Sequence, residues 1–301
     1  MSKTLKRLEP GIEISRRISQ RKYFKGKHLQ DRILELLVWL CSFFTLGMLV
    51  WILLYILAQG IPHLSWEFLT TPYRGESKGI LPMVLATIYV ILLSLAVAAP
   101  IGICAAVYLT EYAQAGRLVG LIRFATESLA GIPSIIYGMF GFVFFVTALK
   151  LKFSLLAGSL TLAIMVLPAM IRTTEEALQA VPAAYREASL ALGATKLWTI
   201  IRVILPCAIP GILTGIILSI GRIVGETAVL IFTAGTAIQG IDVALTDSSR
   251  TLSVHLYMLA KEGLSLQETF ATAAILILIV AAINYLAGRL AANLQKGTTS
   301  Q

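Results

Sequence analysis

The chain alternates between long apolar segments and short polar ones. Six of the apolar segments are long enough to cross the roughly 30 Å hydrocarbon core of a bilayer as helices. They cover residues 33–57, 81–109, 128–149, 154–171, 206–232 and 271–290. Hydrophobic residues make up 57% of the 301 positions and charged residues only 14%, unlike the composition of a soluble domain. The pattern predicts an all-α membrane protein with six transmembrane helices.

Helix-breaking residues mark irregular points in the second and third predicted spans. Pro100 and Gly102 predict a kink in the second span, and a short polar loop from Glu111 to Arg123 is predicted after it. The third span opens with the step Gly131-Ile132-Pro133-Ser134, which predicts a helix that restarts inside the membrane. Free backbone N–H groups at such a start favour anions. Ser134 is therefore a candidate residue of a substrate pathway.

The polar segments differ in their content of Lys and Arg. Residues 1–32 hold ten basic side chains and predict a cytoplasmic arm that lies on anionic headgroups rather than on nucleic acid. The apolar segment behind this arm is too long for a cleavable signal peptide. The segments on the same side of the membrane as this arm, including the arm itself, hold eighteen Lys and Arg in total. The loops on the other, external side hold six. This asymmetry predicts that both termini are cytoplasmic, with a six-helix domain at 33–296 and a polar tail at 297–301.

One polar segment, residues 172–206, combines charged and apolar residues at helical spacing between two spans. A polar turn continues the fourth span, and Pro182 then forces a new start. Residues 183–192 favour a helix, which Gly193 ends by supplying a positive φ angle. The helical pattern resumes at residues 196–203. We expect this segment to dock a soluble partner.

The same segment carries a recognisable motif. It reads Glu187-Ala188-Ser189, then Gly193, nine further residues, and Val203-Ile204-Leu205-Pro206. This resembles the EAA signature of the MetI-like ABC importer permeases, with Ser189 in place of Ala and Val203 in place of Ile. The resemblance implies that Glu187, Ala188, Ser189, Gly193, Leu205 and Pro206 belong to a coupling loop that docks on ATP-binding subunits. The alternative is an ordinary cytoplasmic loop.

The fifth predicted span contains two charged residues. Arg222 lies about 24 Å along the helix counted from Pro206, at 1.5 Å per residue. An arginine at the centre of a span costs about 2.5 to 3.5 kcal/mol, so it normally faces a partner or a polar cavity. Glu226 could neutralise it as an i, i+4 pair. Gly221 and Gly225 instead favour a narrow polar path beside the charges.

A second resemblance covers roughly residues 79–290. The strings Gly221-Arg222-x-x-Gly225-Glu226-Thr227-Ala228 and Ala130 to Gly138 are similar to segments of the permeases of high-affinity phosphate ABC importers. Those importers pair two permeases, and the run that follows Thr227 is closer to the A-type than to the C-type, although Val229 departs from the A-type pattern. The resemblance implies a second homologous permease, two ATP-binding subunits, an external phosphate-binding protein and a location in the bacterial cytoplasmic (inner) membrane.

Side-chain chemistry suggests roles for individual residues in such an importer. We expect Arg222 to contact the passing inorganic phosphate, because its planar guanidinium matches phosphate oxygens. Glu226 would accept a hydrogen bond from a protonated phosphate oxygen, which sulfate lacks; alternatively, the binding protein alone selects the anion. Arg172 either draws the released anion inward or anchors the span at the membrane edge. Thr227 and Ser134 are weaker candidates.

Other functions are less compatible with these residues. No Gly-x4-Gly-Lys-Ser/Thr stretch is present, so we expect a non-catalytic subunit without a cofactor. Intramembrane enzyme motifs such as His-Glu-x-x-His are also missing from the sequence. A permease for sulfate, molybdate or a peptide remains open. A purely structural anchor explains neither the coupling motif nor Arg222.

The cysteines and histidines suggest no metal site. Cys41, Cys104 and Cys207 lie in or beside apolar runs without metal-ligand spacing, which predicts small buried hydrophobic side chains. His28, His63 and His255 are scattered in terminal or loop positions and are expected on the solvated surface.

Overall fold

The computed structural model describes residues 9–74, 77–114, 116–241, 244–263 and 265–299, with side chains described within 31–289. It divides into two compact units, Met1–Ile56 and Leu57–Gln301. The first unit consists of most of helix α1, Glu9–Gly60. Part of the predicted basic arm is therefore helical, while residues 1–8 of the arm and the last two residues of the polar tail lie outside the described residues.

The second unit is helical apart from one short hairpin. After a 3-10 turn, Ile61–His63, its elements are α2 (Trp66–Thr70), β1 (Tyr73–Arg74), β2 (Ser77–Lys78), α3 (Leu81–Val107), α4 (Arg117–Ala130), α5 (Ser134–Gly141), α6 (Leu155–Gln179), α7 (Ala183–Ala191), α8 (Lys196–Thr199), α9 (Leu205–Gly225), α10 (Ala228–Thr233), α11 (Leu252–Glu262) and α12 (Leu266–Thr299). Strands β1 and β2 are antiparallel, with Tyr73 opposite Lys78. Wider π-helical turns follow α3, α5 and α8 at Tyr108–Tyr112, Phe142–Ala148 and Ile200–Ile204.

Five helices among the described residues are long and apolar enough to cross a membrane, and a bent helix pair is a sixth candidate. This agrees with the six predicted spans. The first, second, fourth and sixth candidates begin within about five residues of the predicted starts, at Asp31, Leu81, Leu155 and Leu266. The protein is therefore a multi-pass membrane protein of all-α architecture.

The core of the second unit forms where α3, α6 and α9 pack together. Small residues allow this close packing: a Cβ atom added at Gly211 or Gly215 of α9 would collide with Ala177 or Thr173 of α6. Small residues at such crossings are typical of membrane helices, which gain stability from close van der Waals contact. The Ser94 hydroxyl of α3 donates to the Ser159 carbonyl of α6 at 3.0 Å.

The third span is a bent pair rather than one helix with a loop before it. The prediction of a polar loop from Glu111 to Arg123 was wrong, because residues from Arg117 onward form α4. Exposed Leu118, Leu121 and Phe124 recur at helical spacing along α4. After Pro133 the chain restarts as α5, bent by 102°. The predicted helix start at Ser134 is confirmed.

The fifth span is also broken, although a continuous helix from 206 to 232 was predicted. Helix α9 ends at Gly225, Glu226 is extended, and α10 starts at Ala228. The Glu226 carboxylate accepts a hydrogen bond from the Val229 backbone N–H at 3.2 Å. The Ser253 hydroxyl donates to the Glu226 carbonyl at 2.8 Å. Local side-chain bonds of this kind compete with helix continuation.

The predictions for the cysteines and for His255 were wrong. All three cysteines are free and exposed. The prediction failed because an apolar run does not distinguish a side chain in the protein core from one on the outer face of a span. His255 is only 1% exposed and lies 5.2 Å from the Tyr73 ring, centroid to centroid, in edge contact. It belongs to α11, between the fifth and sixth predicted spans.

Burial of His255 predicts an acid-dependent loss of stability. Desolvation, assisted by the positive charge of Arg250, lowers its pKa from 6.5 to about 4. As the pH falls, the unfolded chain therefore takes up the proton first, and the free energy of unfolding decreases between pH 6.5 and pH 4. Replacing His255 with Phe should remove up to about 3 kcal/mol of this pH dependence.

Thermal unfolding in detergent between pH 7 and pH 4.5 measures the effect. His63→Phe is the matched control, because it makes the same substitution at an exposed histidine. An identical pH dependence in His255→Phe and the wild type would contradict this account of the buried imidazole.

Candidate functional site

The segment from residue 172 to 206 folds as two short helices joined by a glycine turn. Helix α7 starts after Pro182, and Gly193 turns the chain with φ +82°. The hydroxyls of Ser189 and Thr199 are 2.8 Å apart and both side chains are buried, which ties α7 to α8. The serine that replaces alanine in the motif is therefore hydrogen-bonded to a threonine ten residues later.

An apolar surface projects from this pair of helices. Leu192 is 88% exposed, and Leu190, Leu197 and Trp198 are about half exposed. They surround the Gly193 turn, in a segment whose Glu187 and Ala188 are also exposed. Leu205 and Pro206 begin α9 at the edge of a core cluster and are partly buried. An exposed apolar patch rimmed by polar residues is typical of a docking surface for another protein.

The two broken spans meet inside the second unit. Helices α5 and α10 pack closely, because Gly138 lacks a Cβ: one added there would lie 3.1 Å from the Val229 Cα. The Tyr137 hydroxyl of α5 donates to the Leu129 carbonyl at 2.8 Å and thereby satisfies an acceptor at the end of α4. The structure thus brings together the segments 130–138 and 221–228, which the sequence singled out separately.

Arg222 and Glu226 do not form the expected alternative ion pair. Helix α9 ends between them, Glu226 caps α10, and Arg222 has no salt bridge among the described residues. Arg222 is exposed and lies within electrostatic range of the Tyr137 hydroxyl. Thr227 is half buried at the start of α10, and Ser134 is half buried at the start of α5.

The face that carries Arg222 is open in the single chain. A Cβ atom added at Gly221 or Gly225 would meet nothing within 4 Å. An exposed arginine in a membrane span requires a polar surrounding, since lipid gives its guanidinium no hydrogen-bond acceptors. The arrangement can accommodate a second polypeptide with a polar path along the shared face.

Arg172 lies in a separate cavity near the C-terminal end of α6. The cavity has a volume of about 410 Å³, and Arg123, Arg172, Glu127, Glu175 and Glu176 are among its lining residues. Arg172 pairs with Glu176 at 3.1 Å, and Arg123 pairs with Glu175 at 3.2 Å. The cavity therefore holds more carboxylates than guanidinium groups. This charge balance favours an anchoring role for Arg172 over attraction of a released anion.

Sequence reasoning missed a further pair of charged residues. Glu111 and Arg186 form a salt bridge of 2.7 Å at the base of α7, and both side chains are largely shielded from solvent. They are 75 positions apart. No sequence signal linked them, since Glu111 ends the second span, whereas Arg186 lies in the first turn of α7 between Tyr185 and Glu187.

Comparison with known proteins identifies the family. Residues 98–300 match the family described as the inner membrane component of binding-protein-dependent transport systems. The chain belongs to this family. It is 39% identical over 214 residues to the phosphate transport system permease protein PstA of Pasteurella multocida, a match that covers 70% of this chain and 76% of that one. It is 32% identical over 253 residues to the probable ABC transporter permease protein YqgI of Bacillus subtilis, covering 79% and 86% respectively.

Solved structures share the fold. A bacterial ABC transporter involved in the import of the acidic polysaccharide alginate matches with a TM-score of 0.60 at 15% identity, covering 85% of this chain and 96% of that one. The MetNI methionine ABC transporter in an inward-facing conformation matches with a TM-score of 0.57 at 20% identity, covering 72% and 94%. The predicted MetI-like permease fold is confirmed.

The cap at Glu226 predicts a difference between two substitutions. Glu226→Ala removes the acceptor for the Val229 N–H and should lower the free energy of unfolding by about 1 kcal/mol. Glu226→Gln keeps a side-chain oxygen and should retain most of that stability. Thermal unfolding in detergent compares the two variants. Equal destabilisation by Ala and Gln would show that the cap contributes little.

Proposed function

We propose that this chain is the A-type permease subunit of an ATP-driven importer of inorganic phosphate. The observation that carries the choice of solute is its identity of 33 to 39% with several permeases named for phosphate transport. The open face of α9 supports a pairing with a second homologous permease. An external phosphate-binding protein would deliver the anion, and two ATP-binding subunits would drive its passage.

Arg222 is the proposed contact for the anion in the membrane. It is exposed on a face without a salt-bridge partner among the described residues, and its planar guanidinium can donate two parallel hydrogen bonds to phosphate oxygens. The helix breaks next to Ser134 and Thr227 add backbone N–H groups near the same path. A second permease on the open face would enclose this path and shield it from lipid.

Glu226 is proposed to discriminate between anions. One carboxylate oxygen accepts from the Val229 N–H, which leaves the other able to accept from a protonated phosphate oxygen. Sulfate is fully ionised and has no proton to donate, so it would meet an unpaired carboxylate. The competing explanation is that the external binding protein alone selects the solute.

The apolar surface around the Gly193 turn is proposed to dock on an ATP-binding subunit. Leu192 and Trp198 give it the exposed apolar area that a stable contact needs. This requires the turn to face the cytoplasm, which agrees with the excess of Lys and Arg on that side. We therefore propose that both termini are cytoplasmic and that the membrane is the bacterial inner membrane.

Phosphate uptake tests the roles of Arg222 and Glu226. Arg222→Gln should reduce uptake of radiolabelled phosphate about 10- to 100-fold, corresponding to the loss of a charged hydrogen bond. Arg222→Lys keeps the charge but not the planar fork and should be intermediate. Glu226→Gln, which keeps the helix cap, should make uptake more sensitive to competing sulfate.

Each outcome separates two explanations. Normal uptake in Arg222→Gln would remove this residue from the path. Unchanged sulfate competition in Glu226→Gln would assign selectivity to the binding protein. Wild-type complex that transports molybdate or a peptide but not phosphate would support the alternative solute class.

The orientation is tested by labelling a single cysteine. The three native cysteines are exposed, so they are first replaced with serine, and Leu192 is then changed to cysteine. A membrane-impermeant maleimide should label Leu192→Cys in inverted vesicles from cells that lack the ATP-binding subunit, which would otherwise cover this residue, and not in intact spheroplasts. The matched control is His63→Cys in the loop before α2, which should show the reverse pattern. Labelling of Leu192→Cys from outside would overturn the proposed topology.

A further inference from the structure

Arg186 of α7 makes an unusually complete set of hydrogen bonds. Its Nε and Nη2 donate to Glu111 Oε1 at 2.9 and 2.7 Å. Its Nη1 donates to the Val181 carbonyl at 2.8 Å, and Nη2 also donates to the Leu178 carbonyl at 2.8 Å. The Arg186 side chain is 23% exposed and that of Glu111 is 9% exposed. One guanidinium therefore serves a shielded carboxylate and two backbone acceptors.

These partners belong to three different elements. Glu111 lies in the π-helical turn that ends the second span, and Leu178 lies in the last turn of α6. Val181 follows α6 and is buried. The last carbonyl groups of a helix have no backbone N–H donor within the helix. Here the guanidinium supplies the missing donors. Arg186 thus joins α7 to the C-terminal end of α6 and to the π-helical turn that follows α3.

A second contact reaches the same turn. The Lys196 ammonium of α8 lies 4.9 Å from the centroid of the Tyr112 ring, next to Glu111. The Ser189–Thr199 hydrogen bond joins α7 to α8. Residues 183–204, here called the coupling segment, contain α7 and α8. Both helices are consequently attached to the turn at Tyr108–Tyr112 and to each other.

The chain itself connects the coupling segment only to α6 and α9. Helix α3 precedes it by about 70 residues, yet α3 packs extensively on α6 and contributes to the core that holds the broken fifth span. A displacement of α7 can therefore reach α3 directly only through side-chain contacts such as that between Arg186 and Glu111. A π-helical turn is a wide, less regular turn, often placed where a helix must adjust.

We propose that Arg186 is a positioning residue that transmits movement of α7 to α3 through Glu111. The inference rests on the proposed function, since it assumes that an ATP-binding subunit moves α7. It assigns a role in coupling to two residues outside the Glu187–Pro206 motif and outside the solute path. Without this link, ATP turnover continues but moves α3 less, so less solute passes per ATP.

The experiment measures solute moved per ATP hydrolysed. The complex, purified through this chain with its partner subunits and binding protein, is reconstituted in phosphatidylethanolamine–phosphatidylglycerol liposomes, and inorganic phosphate is the probe. Arg186→Gln and Glu111→Gln should each lower phosphate uptake per ATP by roughly 2- to 30-fold, the range seen when coupling residues are changed. ATP turnover and co-purification of the ATP-binding subunit should change much less.

A double-mutant cycle identifies the link itself. Because both substitutions remove the same contact, the double variant should be no worse than either single variant. Arg117→Gln is the matched control: Arg117 is an exposed arginine of α4 without a salt bridge among the described residues, and it should couple normally. A merely structural role would instead lower assembly, ATP turnover and uptake in proportion.

The outcomes keep this inference separate from the proposed function. If the wild type moves phosphate and Arg186→Gln keeps the wild-type ratio, the inference is wrong and the proposed function stands. If Arg186→Gln fails to assemble, Glu111→Ala decides, because it removes the carboxylate and leaves Arg186 its two carbonyl acceptors; a normal ratio in that variant overturns the inference. Wild-type complex that moves no phosphate contradicts the proposed function instead.

Discussion

A backbone inside a bilayer has no water to bond, so every N–H and C=O must find a partner within the protein. An unbroken helix meets this requirement by itself, and a broken one does not. This chain interrupts two of its spans, at Gly131–Pro133 and at Glu226–Thr227. Side chains compensate at both places: Tyr137 donates to Leu129, Ser253 donates to Glu226, and Glu226 accepts from Val229.

The position of Arg222 depends on these compensated breaks. The fifth span would otherwise continue past Gly225 and place Glu226 on the next turn beside the guanidinium. The break turns the carboxylate toward α10 and leaves the guanidinium on an open glycine face. One charged side chain therefore serves the fold, and the other stays exposed. Both broken segments come together because Gly138 lets α10 approach α5.

Much of the fold could be predicted because the relevant signals are local. The lengths of the apolar segments predicted the spans. Pro133 predicted the helix start at Ser134, and Gly193 predicted the turn after α7. The cap of Val229 by Glu226 is also local, three residues apart, but it was outweighed by an apolar run that favoured helix on both sides. Helix α4 was overlooked because Arg117 and Arg123 suggested a loop, although Leu118, Leu121 and Phe124 follow a helical period.

Other features depend on tertiary packing, which one sequence does not reveal. The burial of His255 requires Tyr73, 182 positions earlier, to fold over it, and the exposure of the cysteines requires knowledge of which face of a span meets lipid. The pairing of Arg172 with Glu176 was readable as an i, i+4 pair, whereas the bridge from Arg123 to Glu175 depends on how α4 lies on α6.

The bonds around Arg186 constrain how the gene can change. The Arg186 guanidinium and the Leu178 carbonyl lie eight positions apart, whereas the Glu111 carboxylate lies 75 positions before Arg186, so a substitution at either charged residue alters what is tolerated at the other. A chimera that received residues 183–204 from a relative would need a compatible end to its second span as well. Residues 183–204 are thus not an interchangeable module, because one of their contacts, Glu111, lies about 70 positions before them.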